Sequence, residues 1–445
     1  MAIASSSAIA SNVVHVADST RRHIAVRLLP FLFILYITNY LDRASLAYAA
    51  LGMLRDLQFS DRVFGLGTGI FFISYVALQI PGALLVERWS ARRMITATLI
   101  AWGSLTGLTA LVHTPGQLYL ARFALGAAEA GFFPGVIVYL SHWFLCEDRG
   151  KATGNFMSAI PLSLMLGSPL AGWILGHHWL GVQGWRWLFV LEGIPAIFLG
   201  VAAFFYLTDR PHEAAWLDAD QRQWIEQKLL QERPIRAQAI SGWQALKSRT
   251  VLLLAAANFL SYFVFYIFVF WFPTMFKRQS GLSYAQVGLL GALPYLAAFI
   301  AMLVNGWHSD KRCERRWHTA VPLFIAAIGS LGLMGQPRSI ALSLLLFTTI
   351  YVGNAYLVTF WAMPADILGA SVAPAAVGMI SALASIAGFA GPYAFGYLNT
   401  RTGSFSSGLV AMVIAAALAG ALILRIPEGH RGTVAETGVR AQSAL

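Results

Sequence analysis

The segment Glu87–Arg93 reads Glu-Arg-Trp-Ser-Ala-Arg-Arg, and the segment Asp310–Arg316, which begins 223 residues later, reads Asp-Lys-Arg-Cys-Glu-Arg-Arg. Each segment opens with an acid followed by a base and closes on paired arginines. Basic loops are common on the cytoplasmic side of membranes, but that preference alone does not fix where the acid falls. The shared spacing therefore predicts a chain of two repeated halves, and two unrelated basic loops are the alternative.

Apolar runs of about 20 residues recur along almost the whole chain, and runs of this length can cross a bilayer as helices. The 445 residues are 58% hydrophobic and 11% charged. Continuous apolarity, rather than alternation, favours helices over barrel strands. The predicted fold class is an all-α membrane protein with twelve transmembrane helices in two pseudo-symmetric six-helix bundles. The predicted spans are residues 24–48, 64–86, 93–113, 118–141, 152–178, 187–207, 250–272, 284–308, 319–335, 340–363, 373–398 and 405–425.

The distribution of positive charge predicts the orientation of the chain. Of the 31 Lys and Arg residues, 22 fall on the side of the membrane that holds the N-terminus, and 7 fall on the opposite side. Because cytoplasmic loops carry the excess of Lys and Arg, both termini are predicted to be cytoplasmic. This topology accounts for the net charge of +11, so no nucleic-acid partner is predicted.

The one long polar stretch predicts a linker between the halves. The predicted domains are a disordered cytosolic tail (1–20), an N-terminal six-helix bundle (21–207), a cytosolic linker (208–249), a C-terminal six-helix bundle (250–428) and a second cytosolic tail (429–445). Apolar residues in the linker predict a short amphipathic helix at the membrane surface, with Asp218 as its N-cap. These residues are Trp216, Leu217, Trp224, Ile225 and Leu229.

Four charged residues within predicted spans are selected as site candidates: Asp42 and Arg43 in the first span, and Arg122 and Glu129 in the fourth. A charge at membrane depth costs about 2.5 to 3.5 kcal/mol on insertion scales, so such residues usually serve function. Asp42 and Arg43 are predicted to form an ion pair. Arg122 and Glu129 are two helical turns apart, which places them on one face with about 10 Å between them. The alternative is that all four are fixed salt bridges that hold two helices together.

The charges of these four residues sum to zero, which predicts a link between anion binding and proton uptake. A bound monocarboxylate would leave one negative charge in excess, and a dicarboxylate would leave two. Because a desolvated excess of negative charge favours protonation, Asp42 or Glu129 would then take up a proton.

Three segments resemble the anion:cation symporter family of the major facilitator superfamily: Asn39–Arg43, Gly184–Ala196 and His308–His318. Together they lie in both halves of the chain. The resemblance is greatest to the branch that contains bacterial permeases for tartrate, phthalate and D-galactonate. It implies two parallel six-helix repeats that rock about a site at the bilayer midplane.

The resemblance also implies roles for the charged residues. Asp42 and Glu129 would carry protons, Arg43 would be the partner that releases Asp42, and Arg122 would contact the substrate anion or relay charge. The two repeated loops would form a cytosolic gate, in which Glu87 and Asp310 latch the halves in one state. The implied gate residues are Glu87, Arg88, Arg92, Arg93, Asp310, Lys311, Arg315 and Arg316.

Polar and aromatic residues within the spans are candidates for substrate contact: Tyr40, Tyr75, Asn258, Tyr262, Trp361, Ser381 and Ser385. Asn258, Tyr262 and Tyr266 follow one helical stripe, although helix packing is an alternative role for such residues. Ser381 and Ser385 stand where relatives usually carry asparagine. Because a hydroxyl reaches less far than an amide, the substrate is expected to be bulkier than a four-carbon hydroxy-diacid or to be contacted through water.

The leading hypothesis is a secondary active transporter of the bacterial inner membrane that imports an organic carboxylate with protons by alternating access. An exporter of neutral or drug-like solutes and a non-transporting membrane anion sensor are the alternatives, and two buried arginines disfavour cationic drugs.

No Walker loop, His-Glu-x-x-His or paired-thiol motif occurs, so no enzyme, catalytic residue or metal site is predicted. Protons are the predicted coupling ion, with no other cofactor. The predicted partners are a small organic anion and the lipid bilayer, and one chain is expected to function as a monomer.

Overall fold

The computed structural model describes the backbone of residues 2–232, 248–367 and 373–426, which contains α-helices and short 3-10 turns and no strand. The predicted linker residues 233–247 and the predicted tail residues 429–445 lie outside the described ranges. The helices are α1 (Ala2–Asp56), α2 (Asp61–Arg88), α3 (Ala91–Thr109), α4 (Pro115–Glu129), α5 (Phe132–Trp143), α6 (Cys146–Met157), α7 (Ala159–Leu175), α8 (Gly184–Tyr206), α9 (Ala219–Glu232), α10 (Arg249–Ser280), α11 (Tyr284–Arg312), α12 (Arg316–Met334), α13 (Ile340–Val352), α14 (Tyr356–Phe360), α15 (Met363–Ile367), α16 (Ala373–Thr402) and α17 (Ser406–Leu424).

The all-α fold class is confirmed, and every predicted span coincides with one helix or with consecutive helices. Eleven helical segments among the described residues are long and apolar enough to cross a membrane. The predicted third span corresponds to α3, which has 19 residues. Helix α3 is not among these eleven segments, because Arg92 and Arg93 at its start and its four threonines make it less apolar.

Three predicted spans are interrupted where single helices were expected. Span 4 consists of α4 and α5, and span 5 consists of α6 and α7. Pro134 and Pro161 each lack the N–H that would bond to the carbonyl four residues earlier, and a proline ring crowds that carbonyl. The helices accordingly break beside those carbonyls, at Ala130 and at Met157. Span 10 is interrupted by a 3-10 turn at Gly353–Ala355.

Helix α1 begins at Ala2, so the predicted disordered tail over residues 1–20 is helical from its second residue. Helix α9, in the predicted linker, contacts α1 near residue 20, where the predicted tail ends. The Gln221 side-chain amide donates to the Ser19 hydroxyl at 3.2 Å, and its oxygen lies 3.3 Å from His23 Nδ1. The sequence reading missed this helix because its supporting contacts are about 200 residues away in the chain.

The chain forms two compact units. Unit 1 comprises Met1–Gln58 and Ile70–Ala237, and unit 2 comprises Phe59–Gly69 and Gln238–Leu445. The first turns of α2 therefore belong to unit 2, although the predicted N-terminal bundle included them. Within unit 2, the Phe64 ring meets Trp271 edge to face at 4.9 Å.

Glycines in unit 1 allow helices to approach closely around the buried charges. A methyl group at Gly103 of α3 would lie 2.7 Å from the Gly193 carbonyl oxygen of α8, and one at Gly126 of α4 would overlap the Phe71 carbonyl oxygen of α2. Backbone contact of this kind is typical of membrane helices, which pack through small residues.

Candidate functional site

The four predicted intramembrane charges are all buried in unit 1. The exposed fractions are 2% for Asp42, 8% for Arg43, 2% for Arg122 and 1% for Glu129. Asp42 and Arg43 come from the middle of α1, whereas Arg122 and Glu129 come from α4. Glu129 is the last residue of α4, immediately before the break at Ala130. The interrupted helix therefore places a carboxylate beside irregular backbone at the site.

The predicted ion pair between Asp42 and Arg43 is wrong. Arg43 Nη2 instead donates to Glu129 Oε2 at 2.7 Å, which joins α1 to α4. The Asn39 side-chain amide donates to the same oxygen at 3.0 Å. Neighbouring residues on a helix project about 100° apart and do not face each other, whereas Asn39 and Arg43 lie one turn apart on one face.

The remaining two charged groups lack such partners. Neither carboxylate oxygen of Asp42 has a hydrogen-bond partner among the described residues, and the same holds for Nε and Nη2 of Arg122. Buried polar groups are almost always satisfied, so exceptions call for an explanation such as a bound ligand, water or proton. Glu129 Oε1 is also without a hydrogen-bond partner there, but Glu129 and Arg43 are joined to each other, whereas no hydrogen bond of the Asp42 carboxylate or the Arg122 guanidinium is found among the described residues.

Aromatic rings line the arginines. The Phe71 ring of α2 lies 4.7 Å from the Arg122 guanidinium and 5.3 Å from that of Arg43. Tyr40 and Tyr75, both predicted site residues, lie 5.1 and 5.2 Å from the Arg43 guanidinium. A guanidinium over an aromatic face is stabilised by the ring quadrupole, an effect that grows on desolvation. These rings thus stabilise the cations without neutralising their charge.

Sequence reasoning missed two residues of this site, Asn39 and Phe71, and one further buried acid of unit 1, Glu192. Asn39 precedes Arg43 by one turn, so the periodicity of α1 could have identified it. Glu192 on α8 is 7% exposed; it is an acid inside an apolar span, so the criterion that selected Asp42 and Glu129 also applies to it. Phe71 gave no signal, because a phenylalanine in an apolar span is ordinary.

The polar candidates of α10 lie in unit 2. Asn258 is fully buried, and the Tyr356 hydroxyl donates to its oxygen at 3.5 Å. The Tyr262 and Tyr266 rings meet edge to face at 5.7 Å, as their stripe on one helix predicts. Asn258 Nδ2 is buried without a hydrogen-bond partner among the described residues. Tyr356, which the sequence reading did not select, therefore orients the amide and leaves a donor available.

The remaining unit 2 candidates differ in their capacity for contact. Ser385 donates to the Ser381 carbonyl at 3.0 Å, a bond within α16 that occupies its only donor. Trp361 packs against the apolar core of unit 2, and its indole N–H is buried without a partner among the described residues. The predicted substrate contacts of Trp361, Ser381 and Ser385 stay predictions.

The first repeated loop is bonded to the end of span 6. Ser90 caps α3 by accepting from Arg93 N–H at 3.1 Å, and its hydroxyl donates to Asp209 at 2.6 Å. The Arg92 backbone N–H donates to the other Asp209 oxygen at 2.9 Å. The side chains of Glu87 and Arg88 lie outside the described residues, so their predicted latch is untested.

The second repeated loop is bonded both within itself and, through Arg316, to the end of α17. Arg315 pairs with Asp310 at 2.6 Å, and the Lys311 ammonium lies 5.2 Å from the Trp307 ring. Arg316 donates to the Leu424 carbonyl. Partial burial raises the pKa of the Glu314 carboxyl, but hydrogen bonds from the Trp317 and His318 backbone N–H groups and from the His318 ring outweigh it and hold that pKa below its usual value. The predicted latch at Asp310 stays a prediction.

The sequence profile of the Major Facilitator Superfamily matches residues 32–392 of the chain. A protein of Agrobacterium vitis named putative tartrate transporter is 38% identical over 420 residues, which cover 93% of this chain and 96% of that protein. A protein of Acinetobacter baumannii named quinolone resistance transporter is 34% identical and covers 87% of this chain and 90% of its own length. The solved structure of a bacterial homologue of the human lysosomal transporter Spinster resembles the chain with a TM-score of 0.75 and 18% identity, over 91% of this chain and 96% of that one.

Proposed function

Because the chain belongs to the Major Facilitator Superfamily, whose members are transporters and not enzymes, we propose that it imports an organic carboxylate together with protons. Transport proceeds by alternating access across the bacterial inner membrane. The relative named putative tartrate transporter supports the carboxylate substrate. Proton coupling rests on the chemistry of the buried charges in unit 1.

The observation that carries this proposal is the pair of unsatisfied charged groups, Arg122 and Asp42. Arg122 is 2% exposed and retains free N–H donors among the described contacts. A guanidinium binds carboxylates through two parallel hydrogen bonds, which makes it the preferred side chain for this anion. Arg43 is less suited, because Glu129 already occupies one of its nitrogens.

Asp42 supplies the proton site. Its two oxygens accept no hydrogen bond among the described residues, so an ionised Asp42 would be a buried charge with poor compensation. A substrate carboxylate on Arg122 would neutralise one of the two buried arginines and add to that cost. Protonation of Asp42 removes it, which couples uptake of the anion to uptake of a proton. Glu129 is held by Arg43 and Asn39 and is the second proton site.

The test is transport by the purified protein in liposomes. Solid-supported-membrane currents and radiolabelled uptake are recorded between pH 5.5 and 7.5 with tartrate, galactonate, glucarate, phthalate and 4-hydroxyphenylacetate. We expect an inward proton gradient to drive uptake of at least one anion. Asp42→Asn and Glu129→Gln should abolish this driven uptake and retain counterflow exchange. Arg55→Gln, at an exposed position of the same helix, is the matched control and should behave as wild type.

Export of a drug-like carboxylate is the second candidate, because a relative of similar identity is named quinolone resistance transporter. Quinolones carry a carboxylate, so a buried arginine does not disfavour them as it disfavours cationic drugs. The same liposomes are tested with a fluoroquinolone and an outward-directed gradient. Transport of the fluoroquinolone without transport of any simple carboxylate would replace the import proposal. Anion binding without any translocation would favour the sensor.

A further inference from the structure

Two histidines of unit 2, His308 and His318, face each other at the second repeated loop and form what we call the histidine pair. His308 lies near the end of α11 and His318 near the start of α12, and His308 Nδ1 lies 2.7 Å from His318 Nε2. Between them Cys313 ends α11 in a left-handed backbone conformation, with φ 53°, so the chain turns from one helix to the next. Two histidines ten residues apart match no metal-binding motif, so the sequence predicted no metal site here.

A carboxylate fixes the orientation of the His318 ring. Glu314 Oε2 lies 2.6 Å from His318 Nδ1, and the same carboxylate accepts from the backbone N–H groups of Trp317 and His318. Partial burial raises the pKa of Glu314, but these hydrogen bonds outweigh it and hold that pKa below its usual value. Glu314 is therefore ionised and can only accept a hydrogen bond. It follows that His318 Nδ1 carries a proton and that Nε2 is the nitrogen presented to His308.

The two rings differ in their freedom to move. The Asn305 side-chain amide donates to the His318 carbonyl at 2.8 Å and to the Ala355 carbonyl at 2.9 Å, which holds the start of α12 in place. Only 14% of the His318 side chain is exposed, whereas His308 is an exposed residue. The pair thus combines one fixed ring with one ring that can adjust and that is open to the solution.

The charges around the histidine pair bear on which cation it can bind. Asp310 is paired with Arg315 at 2.6 Å, Arg316 donates to a backbone carbonyl of α17, and Lys311 is exposed. Only Glu314 is hydrogen-bonded to the pair itself. Because the loop is basic, it does not favour Mg²⁺ or Ca²⁺, which are held by several anionic oxygens. An ion that forms coordination bonds to imidazole nitrogen depends less on the net charge of its surroundings.

The facing nitrogens have a geometry close to that of a tetrahedral metal site. Zinc binds imidazole nitrogen at about 2.0 to 2.1 Å, which places two such nitrogens about 3.3 Å apart. The observed 2.7 Å is that of a hydrogen bond, with one proton between the rings. An opening of about 0.6 Å, available to the exposed His308 ring, exchanges the proton for an ion. A metal-binding histidine usually donates its other N–H to a carboxylate, and Glu314 accepts that bond from His318.

We propose that the histidine pair binds a late first-row divalent ion such as Zn²⁺, which takes the place of the shared proton and releases that proton to water. Among the residues that the structure describes, no group of three or more metal-ligating side chains occurs, so water completes the coordination. With two protein ligands the ion binds less tightly than in structural or catalytic zinc sites, and it exchanges with the solution. Bound there, it joins α11 to α12 across the second repeated loop.

Isothermal titration of the detergent-purified full-length protein with Zn²⁺, after removal of any affinity tag, tests the site. We expect one saturable site in the wild type. His308→Gln removes a ligand at an exposed position and should weaken the affinity by at least the roughly tenfold to hundredfold that loss of an outer carboxylate costs. His308→Cys supplies a thiolate, which also binds zinc, and should retain the binding that the glutamine variant loses.

His113→Gln, in an exposed loop between α3 and α4, is the matched control and should bind Zn²⁺ as the wild type does. Absence of a saturable site from the wild type, or equal affinity in the wild type and His308→Gln, overturns the proposal. Loss of binding in His308→Cys as well as in His308→Gln would assign the ring a structural role and would also overturn it.

Transport tests the consequence of binding, which rests on the proposed function, whereas the binding itself does not. Counterflow of L-tartrate is measured in proteoliposomes with Zn²⁺ on both faces, at a free concentration buffered with nitrilotriacetate because tartrate itself binds metal ions. An ion that joins α11 to α12 at the predicted gate should slow exchange in the wild type and leave His308→Gln unaffected. Equal inhibition of both contradicts an effect on the gate. A wild type that exchanges no anion defeats the proposed function, and the titration still decides whether the ion binds.

Discussion

At the scale of single residues, the sequence located the charges of the site but not their pairing. The cost of charge in the membrane identified Asp42, Arg43, Arg122 and Glu129, and all four are buried in one unit. Their partners depend on how helices cross, which the spacing along one helix does not specify. Adjacency in sequence suggested Asp42 for Arg43, whereas the three-dimensional partner is Glu129, 86 residues away.

This pairing predicts how unit 1 responds to loss of Arg43. Arg43→Gln leaves Glu129 as a buried carboxylate that retains only the Asn39 amide, and breaking a buried pair in this way costs about 3 to 5 kcal/mol. The double variant Arg43→Gln with Glu129→Gln removes both charges and should recover most of that loss. Unfolding in mixed detergent micelles, followed by tryptophan fluorescence, measures the difference.

Arg43→Gln with Asp42→Asn is the matched comparison, because it tests the pair that adjacency suggested. It should not recover the loss, since Glu129 stays ionised and unpaired. Equal recovery in both double variants would contradict the assignment of the Arg43 to Glu129 pair.

At the scale of elements, the sequence identified where helices occur better than where they break. Apolar length located every span, because the bilayer imposes the same demand on each. The breaks in spans 4 and 5 follow from Pro134 and Pro161, which were visible in the sequence. Proline inside a membrane helix does not always break it, however: Pro30, Pro81 and Pro195 lie within the continuous helices α1, α2 and α8. Neighbouring helices decide which proline interrupts a helix, and those neighbours are set by the tertiary fold.

Helix α4 offers a test of close packing with two glycines of opposite surroundings. A methyl group at Gly126 would overlap the Phe71 carbonyl of α2, whereas one at Gly116 meets nothing within 4 Å. Gly126→Ala should therefore force α4 away from α2 and cost about 1 to 3 kcal/mol, the usual penalty for overpacking. It should also reduce transport, because α4 carries both Arg122 and Glu129.

Gly116→Ala is the control within the same helix. Replacement of glycine by alanine in a helix without new contacts is favourable by about 0.5 to 1 kcal/mol. Thermal unfolding in detergent and uptake in liposomes measure both variants. Equal tolerance of the two substitutions would contradict the close approach of α2 and α4.

At the scale of the whole molecule, the repeated loops predicted two halves, and the backbone forms two compact units. The predicted boundary differs at Phe59–Gly69, where α2 begins within unit 2. Asp61 at this point accepts a two-pronged ion pair from Arg278, at 2.6 and 2.8 Å. A repeat in the sequence marks a duplicated element, whereas a compact unit is defined by contacts. The boundary therefore depends on contacts such as this ion pair, which joins residues 217 positions apart in the chain.

The predicted orientation of the whole molecule in the membrane follows from the asymmetry of its positive charges, and two native cysteines can test it. Cys146 and Cys313 are free and exposed, and both lie at ends of spans on the side that carries 22 of the 31 Lys and Arg residues. The positive-inside rule places that side in the cytoplasm. A membrane-impermeant maleimide should therefore label the protein in everted vesicles and leave it unlabelled in intact spheroplasts.

In a Cys146→Ser, Cys313→Ser background, His178→Cys introduces a thiol at an exposed position between α7 and α8. This variant should show the opposite pattern, since that loop is predicted to lie on the other face of the membrane. Labelling of the native cysteines from outside would reverse the predicted topology and place the repeated basic loops in the periplasm.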